Sequence, residues 1–178
     1  MRSKIILLLA LLLLGLQANA QPSLTLAQKQ AFAEAWHAGY HVGLPLAFTA
    51  IVYVESSGCV HVQNDTGIAF GCSQVQVRTA YKVTGAHIPA WMLSDANLRV
   101  VNMAIGARYL QMCVDRFGWP LGAGCYEQGI PRTRILQRKG CFRERLKRVP
   151  KACREVRRYM ASVLAAMVWL RNLPMSED

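Results

Sequence analysis

Six cysteines, Cys59, Cys72, Cys113, Cys125, Cys141 and Cys153, constrain this chain more than any other feature. An even set reads as a disulfide framework in an exported chain, and as a metal or redox centre in one that stays inside the cell. The first twenty residues decide between these readings. Arg2 and Lys4 form a short positive opening, Ile5 to Leu16 is apolar apart from Gly15, and Ala18-Asn19-Ala20 puts small residues where a signal peptidase cuts. That pattern is a secretory leader, so residues 1–20 are expected to be removed and the mature chain to start at Gln21. The alternative is an uncleaved anchor, but the apolar run is short against the roughly 20 residues of a membrane span. No cysteine stands near the cut, which argues against a lipoprotein.

Disulfides are therefore expected in residues 21–178. Six cysteines allow about 15 pairings. Short loops favour Cys59–Cys72, Cys113–Cys125 and Cys141–Cys153, with the other pairings left open. The rival reading is a metal site. No Cys-x-x-Cys occurs, and His37, His41, His61 and His87 are not interleaved with the cysteines at zinc spacing. His37 and His41 could share a helix face, but two ligands do not complete a site. No metal and no cofactor are expected.

The length past residue 20 suits one domain with a real core, and 53% hydrophobic residues are too many for a disordered chain. Apolar periodicity is helical nearly everywhere. Leu24 to Tyr40 reads as a helix loosened by Gly39 and Gly43. Pro45 suits a first helical turn, and the apolar run Leu46 to Val54 follows it, closed by the charged Glu55. Asn64-Asp65-Thr66-Gly67 is a turn signal, and Val60–Gln63 and Ile68–Phe70 beside it are expected to pair as a hairpin. Helices are expected again over Val75 to Val83, from Ala96 to Phe117 behind a cap at Leu93-Ser94-Asp95, and around Leu121 to Gln128. Tyr159 to Leu170 is uncharged, too short to span a bilayer, and reads as a core helix. The class is mainly α, with no second domain and no transmembrane span once the leader is gone.

The formal net charge of +11 will draw the chain to polyanions. Pro131 to Arg158 concentrates it, with twelve Lys and Arg against two Glu. Such a run is either a solvated face or a surface for anionic wall, membrane or an acidic partner. The leader and the cysteines disfavour a nucleic-acid module.

Glu55 is the residue best placed for chemistry. Glycosidic bond cleavage needs a carboxylic acid that holds its proton near neutral pH, and burial against apolar surface raises a carboxyl pKa. A Glu closing a helix is usually just solvated, so its neighbours carry the weight. They are Glu55-Ser56-Ser57, then Gly67-Ile68-Ala69-Phe70-Gly71-Cys72-Ser73-Gln74 and Thr79-Ala80, then Asn102, Gly106, Tyr109-Leu110 and Phe117-Gly118, then Cys125-Tyr126-Glu127-Gln128-Gly129. This order resembles the soluble lytic transglycosylase family, which shares the goose-type lysozyme fold. In that family a Glu-Ser at a helix end precedes Gly-Ala-x-Gly-Leu-x-Gln and Thr-Ala, and an Ala-Tyr-Asn-x-Gly segment closes the site. Glu155 and Tyr159 match an acidic residue and a Tyr near the start of its last helix.

The resemblance covers about Leu44 to Leu170 and implies a lysozyme-like domain with a small hairpin near the cleft. It implies an enzyme that cuts the glycan strands of peptidoglycan in the periplasm, with Glu55 as acid and then base. Ser56 would serve local hydrogen bonding beside the acid. Ser56, Ser73, Gln74, Tyr126 and Glu127 would be the substrate-binding residues, with Ser73 and Gln74 along the groove. The Tyr126 hydroxyl would orient the acid. Small single-domain members open the wall for conjugation, type IV secretion, pilus assembly or phage passage, so an envelope complex is the implied partner. Three departures stand out: Cys72-Ser73 replaces Leu-Met, Cys125 replaces Ala, and Glu127 replaces Asn. Glu127, or Asp65 on the turn, could act as a second carboxylate and turn the reaction into hydrolysis. A Cys59–Cys72 bridge would hold Glu55 and Gln74 in register. A non-catalytic wall-binding scaffold is the alternative from another class.

Overall fold

A computed structural model describes residues 24–63, 66–142 and 149–173. The expected leader, Asp65 and part of the basic segment lie outside the described residues. Helix α1 spans Leu26–Tyr40 and α2 spans Pro45–Ser56. Strands β1 (Ala69–Phe70) and β2 (Val75–Gln76) follow, then α3 (Val77–Thr84) and the short α4 (Ala90–Ser94). A 3-10 turn over Ala96–Leu98 leads into α5 (Arg99–Phe117), then α6 (Leu121–Gln128), α7 (Ile130–Arg138) and α8 (Lys151–Arg171). The chain is mainly helical, as the periodicity predicts.

Local chemistry sets the helix ends that matter. Thr25 caps α1 through a reciprocal pair: its hydroxyl accepts from Gln28 N at 3.2 Å, and Gln28 Oε1 accepts from Thr25 N at 3.0 Å. The Gln28 amide then donates to Ser57 O at 3.0 Å, tying the start of α1 to the end of α2. Pro45 begins α2, where a missing N–H costs nothing. Beyond Ser56 the backbone turns left-handed at Ser57, Gly58 and Cys59. Non-glycine residues resist that region by about 1 kcal/mol each, so this turn is held by its surroundings. Gly58 is required there, because a side chain would collide with the Phe32 ring.

The core lies around α2, whose Phe48, Ile51 and Val52 are fully buried. Helix α1 packs on one side of α2 and α8 on another, while α5 packs on α1 and α6. Aromatic contacts of Trp169 with Tyr53 at 4.8 Å and Phe32 at 6.4 Å join α8 to α2 and α1. A bidentate ion pair between Arg99 and Glu34, both bonds 2.6 Å, clamps α5 to α1. Three disulfides join Cys59 to Cys72, Cys113 to Cys125 and Cys141 to Cys153, the pairs that short loops favour. The first ties the end of α2 to the strand loop. The second joins α5 to α6, and the third joins the end of α7 to the start of α8.

The hairpin differs from the expected one. Ala69–Phe70 pairs antiparallel with Val75–Gln76, and the Val60–Gln63 stretch contributes only one isolated bridge, Gln63 to Phe70. The helix expected from Val75 thus begins two residues later, at Val77. The physical reason is long-range. Asn102 on α5 is fully buried and donates its amide to Phe70 O at 2.9 Å, while its Oδ1 accepts from Ser73 N at 2.9 Å. That pair of bonds folds residues 70–73 into the turn between the two strands. The Asp95 side chain caps the 3-10 turn through Asn97 N at 2.8 Å, so α5 proper starts at Arg99 rather than Ala96. Among the described residues no helix is long and apolar enough to cross a membrane.

Candidate active site

Glu55 sits in the last turn of α2 and keeps partial solvent access. Tyr159, the first residue of the apolar half of α8, donates its hydroxyl to Glu55 Oε1 at 2.5 Å. Oε2 is left as the oxygen that can carry a proton to a ligand. The carboxyl is crowded by apolar helix and aromatic rings, which strips most of its hydration. Burial is the main reason its pKa is pushed up from 4.5 to about 7; the Tyr159 hydrogen bond opposes that rise, and the negative charge of Glu127 adds to it. A carboxyl with that pKa is populated in both protonation states near neutral pH, which is what a group that donates and then recovers a proton requires.

Tyr159 and Tyr126 are both held well above the usual tyrosine range, first by burial and second by the charge of Glu55. Both therefore stay protonated as hydrogen-bond donors. Tyr159→Phe removes the bond that pulls the Glu55 pKa down, so the Glu55 carboxyl should titrate above 7 in that variant. Carbon-13 NMR of the labelled carboxyl checks this, and an unchanged or lower midpoint counts against it.

The orienting role that sequence analysis gives to Tyr126 falls to Tyr159. The Tyr126 hydroxyl is near enough to feel Glu55 but donates to Ser73 O at 2.7 Å. Two further expectations are corrected by burial. Ser73 is fully buried, and its hydroxyl donates to Asn102 Oδ1 at 2.7 Å, so it cannot line a substrate groove. Ser56 is buried as well. Its hydroxyl lies 2.6 Å from Cys72 O and accepts from Cys59 N at 2.9 Å, so it holds the loop and does not touch a ligand. Gln74 is partly exposed beside the site, in a left-handed conformation, with its amide donating to Gly71 O at 2.9 Å and to His61 O at 3.2 Å. Glu127 is exposed on the last turn of α6, with its pKa raised chiefly by burial of its carboxyl. It acts on Glu55 through charge, and its own carboxyl is partly buried and hydrogen-bonded by the Gln128 side chain.

Gly106 makes the arrangement possible. A side chain at that point of α5 would stand 2.5 Å from Ser73 Oγ and 2.8 Å from the Tyr126 hydroxyl. Glycine there lets the strand loop and α6 close onto α5. Asn102 is the polar centre of this closure. Asn102→Ala leaves the Ser73 N–H and the Phe70 carbonyl without their partner and opens a cavity, so it should cost about 2–4 kcal/mol. Urea unfolding measures it, and a cost within about 0.5 kcal/mol would contradict the central role of Asn102. In the sequence Asn102 and Gly106 stand out only as motif positions, and the Glu34–Arg99 clamp leaves no signal, because its partners are 65 residues apart.

Among the described residues no group of three or more His, Cys, Asp or Glu could hold a metal ion. His37 and His41 share a face of α1 with their rings 4.5 Å apart. Comparison of the chain with protein-family models, with curated proteins and with solved structures finds no match. The functional reading therefore rests on the residues and their geometry.

Proposed function

We propose that this chain is an exported, lysozyme-like peptidoglycan lytic transglycosylase, with Glu55 as its acid and base. The observation that carries the reading is the accessible Glu55 carboxyl, raised to about 7 and held by Tyr159. Glu55 protonates the glycosidic oxygen between N-acetylmuramic acid and N-acetylglucosamine, and the bond from that oxygen to the muramyl anomeric carbon breaks. The resulting carboxylate stabilises the positive charge developing on the sugar ring. It then takes the proton of the muramyl 6-hydroxyl while that oxygen attacks the anomeric carbon. A 1,6-anhydro ring forms, Glu55 is protonated again, and no water is consumed. One carboxyl suffices for both proton transfers. The leader and the three disulfides support an oxidising compartment, with the periplasm as the site of action. Local wall opening for a secretion, conjugation or pilus complex is the role proposed for it.

The exposure of Glu127 favours a second reading, a hydrolytic muramidase in which that carboxylate holds a water on the opposite face of the sugar. Mass spectrometry of peptidoglycan digested with the purified protein separates the two. Anhydromuropeptides are expected. Products with reducing ends would transfer the proposal to the hydrolase, and uncut glycan would leave a wall-binding scaffold.

A further inference from the structure

Helix α8 carries a second surface on the side opposite Tyr159. Residues spaced three and four apart share one helix face, and Arg154, Arg158, Ala161, Ala165 and Val168 all fall on one exposed stripe. Its first two turns are cationic. Its last turns are apolar, with Val168 64% exposed and Leu164 at the edge 40% exposed. Helix α7 continues the pattern: Arg134, Arg138 and Lys139 are exposed around Ile135, itself 51% exposed. A small core of Leu136, Cys141, Cys153 and Val156 packs α7 against the first half of α8, so the basic residues of α7 lie next to the basic turns of α8. The one described carboxylate of the basic segment, Glu155, is partly buried and 3.8 Å from Lys151. Among the described residues neither Arg154 nor Arg158 has an ion-pair partner, and Arg154 donates to Val149 O at 3.0 Å.

We infer that this face docks on an anionic lipid bilayer, with α8 lying in the plane of the head groups. Cationic residues beside exposed apolar ones on one helix face match a surface that is itself charged outside and apolar beneath. A solvated charge run explains the arginines but not the exposed Leu164 and Val168. A protein partner would need acidic and apolar patches of its own at this spacing, whereas an anionic bilayer presents both over its whole surface. The apolar half of α8 is too short to span a bilayer, so it lies on the surface. Tyr159 projects from the opposite side of the same helix onto Glu55. Docking through the outer stripe thus turns Glu55 away from the membrane. The inference stands on this surface alone and does not depend on what Glu55 does.

Co-sedimentation of the full chain with lipid vesicles tests it, comparing phosphatidylglycerol mixed into phosphatidylcholine with phosphatidylcholine alone. Binding is expected to require phosphatidylglycerol and to weaken at high salt. Arg154→Glu/Arg158→Glu should lower partitioning about tenfold or more, and Val168→Glu should lower it several-fold, while Glu55→Gln should bind as the unaltered chain does. The changed residues are exposed, and circular dichroism checks that each variant is folded. The salt dependence of the unaltered chain serves as a readout that needs no variant. Equal binding to neutral vesicles overturns the proposal, as does unchanged binding of the charge-reversed variant. It is equally overturned if the stripe variants lose binding only to purified wall, or if Val168→Glu only breaks a dimer.

Discussion

Glu55→Gln should reduce cleavage of peptidoglycan by about 10³-fold or more, the scale of a lost general acid and base. The same change should stabilise the fold at alkaline pH. The folded pKa of Glu55 is about 7 against 4.5 for the ordinary group. The native state thus holds a proton that the unfolded state has released between those values. The contribution of this group to stability is full below about pH 4.5 and is lost as pH rises through about 7. Glutamine keeps an oxygen for the Tyr159 hydroxyl and carries no charge at any pH. The variant should match the unaltered protein at about pH 4 and exceed it by about 3 kcal/mol at about pH 8. Urea unfolding at the two pH values reads the difference. Equal stability at both, or retained cleavage, would remove Glu55 from its role.

Removing the disulfide beside the acid should have the second largest effect. Cys59 and Cys72 close a loop with a sequence separation of 13, and losing such a bridge costs about 3 kcal/mol. Cys59→Ala/Cys72→Ala should lower stability by that amount and lower cleavage as well. The bridge holds the left-handed turn after Glu55 against the loop that carries Ser73 and Gln74. Cys141→Ala/Cys153→Ala is the control. That bridge closes a loop of similar separation, 12, in the small core between α7 and α8. It should cost similar stability and leave cleavage per folded molecule unchanged. Equal losses of cleavage in the two variants would mean that the first bridge serves stability only. Unfolding curves and initial rates on purified peptidoglycan separate these outcomes.

Much of the helical frame is legible in the chain because each helix buries a face at helical spacing. Pro45 and Gly118 mark ends that the residue types themselves explain, whereas the cap at Thr25 falls inside the run expected to be helical from Leu24. The strand pairing is not legible in this way. Strands of two residues leave no alternation to read, and their register depends on Asn102, which lies 32 residues beyond Phe70. The candidate site shows the same division. Glu55 stands out as a charge closing an apolar run. The direction of its neighbours does not, because a motif position says where a residue falls along the chain and not which way its side chain turns. Ser73 turns inward because Gly106 leaves it room. Tyr126 bonds to the Ser73 carbonyl, and the hydroxyl that reaches Glu55 comes from 104 residues away, from Tyr159, which the sequence marks only as a motif match near the start of the last helix.

The basic stripe of α8 is visible in the sequence as a run of Lys and Arg, but its pairing with exposed apolar residues needs the helix phase. Arg154 and Val168 fall on the same side only once α8 is continuous from Lys151 to Arg171. Read as composition, the apolar stretch belongs wholly to the core. In the fold it is divided, with Val163 and Ala166 buried and Leu164 and Val168 left outside.

The most direct test of Glu55 as a carboxylic acid that keeps its proton near neutral pH is the titration of its own carboxyl. Carbon-13 NMR of the purified protein, labelled at glutamate, follows that single resonance, with Glu55→Gln identifying it. A midpoint near 7 is the expected result. A midpoint near 4.5, the ordinary value, would mean that the carboxyl is ionised where the proposed reaction needs its proton and would contradict the assignment.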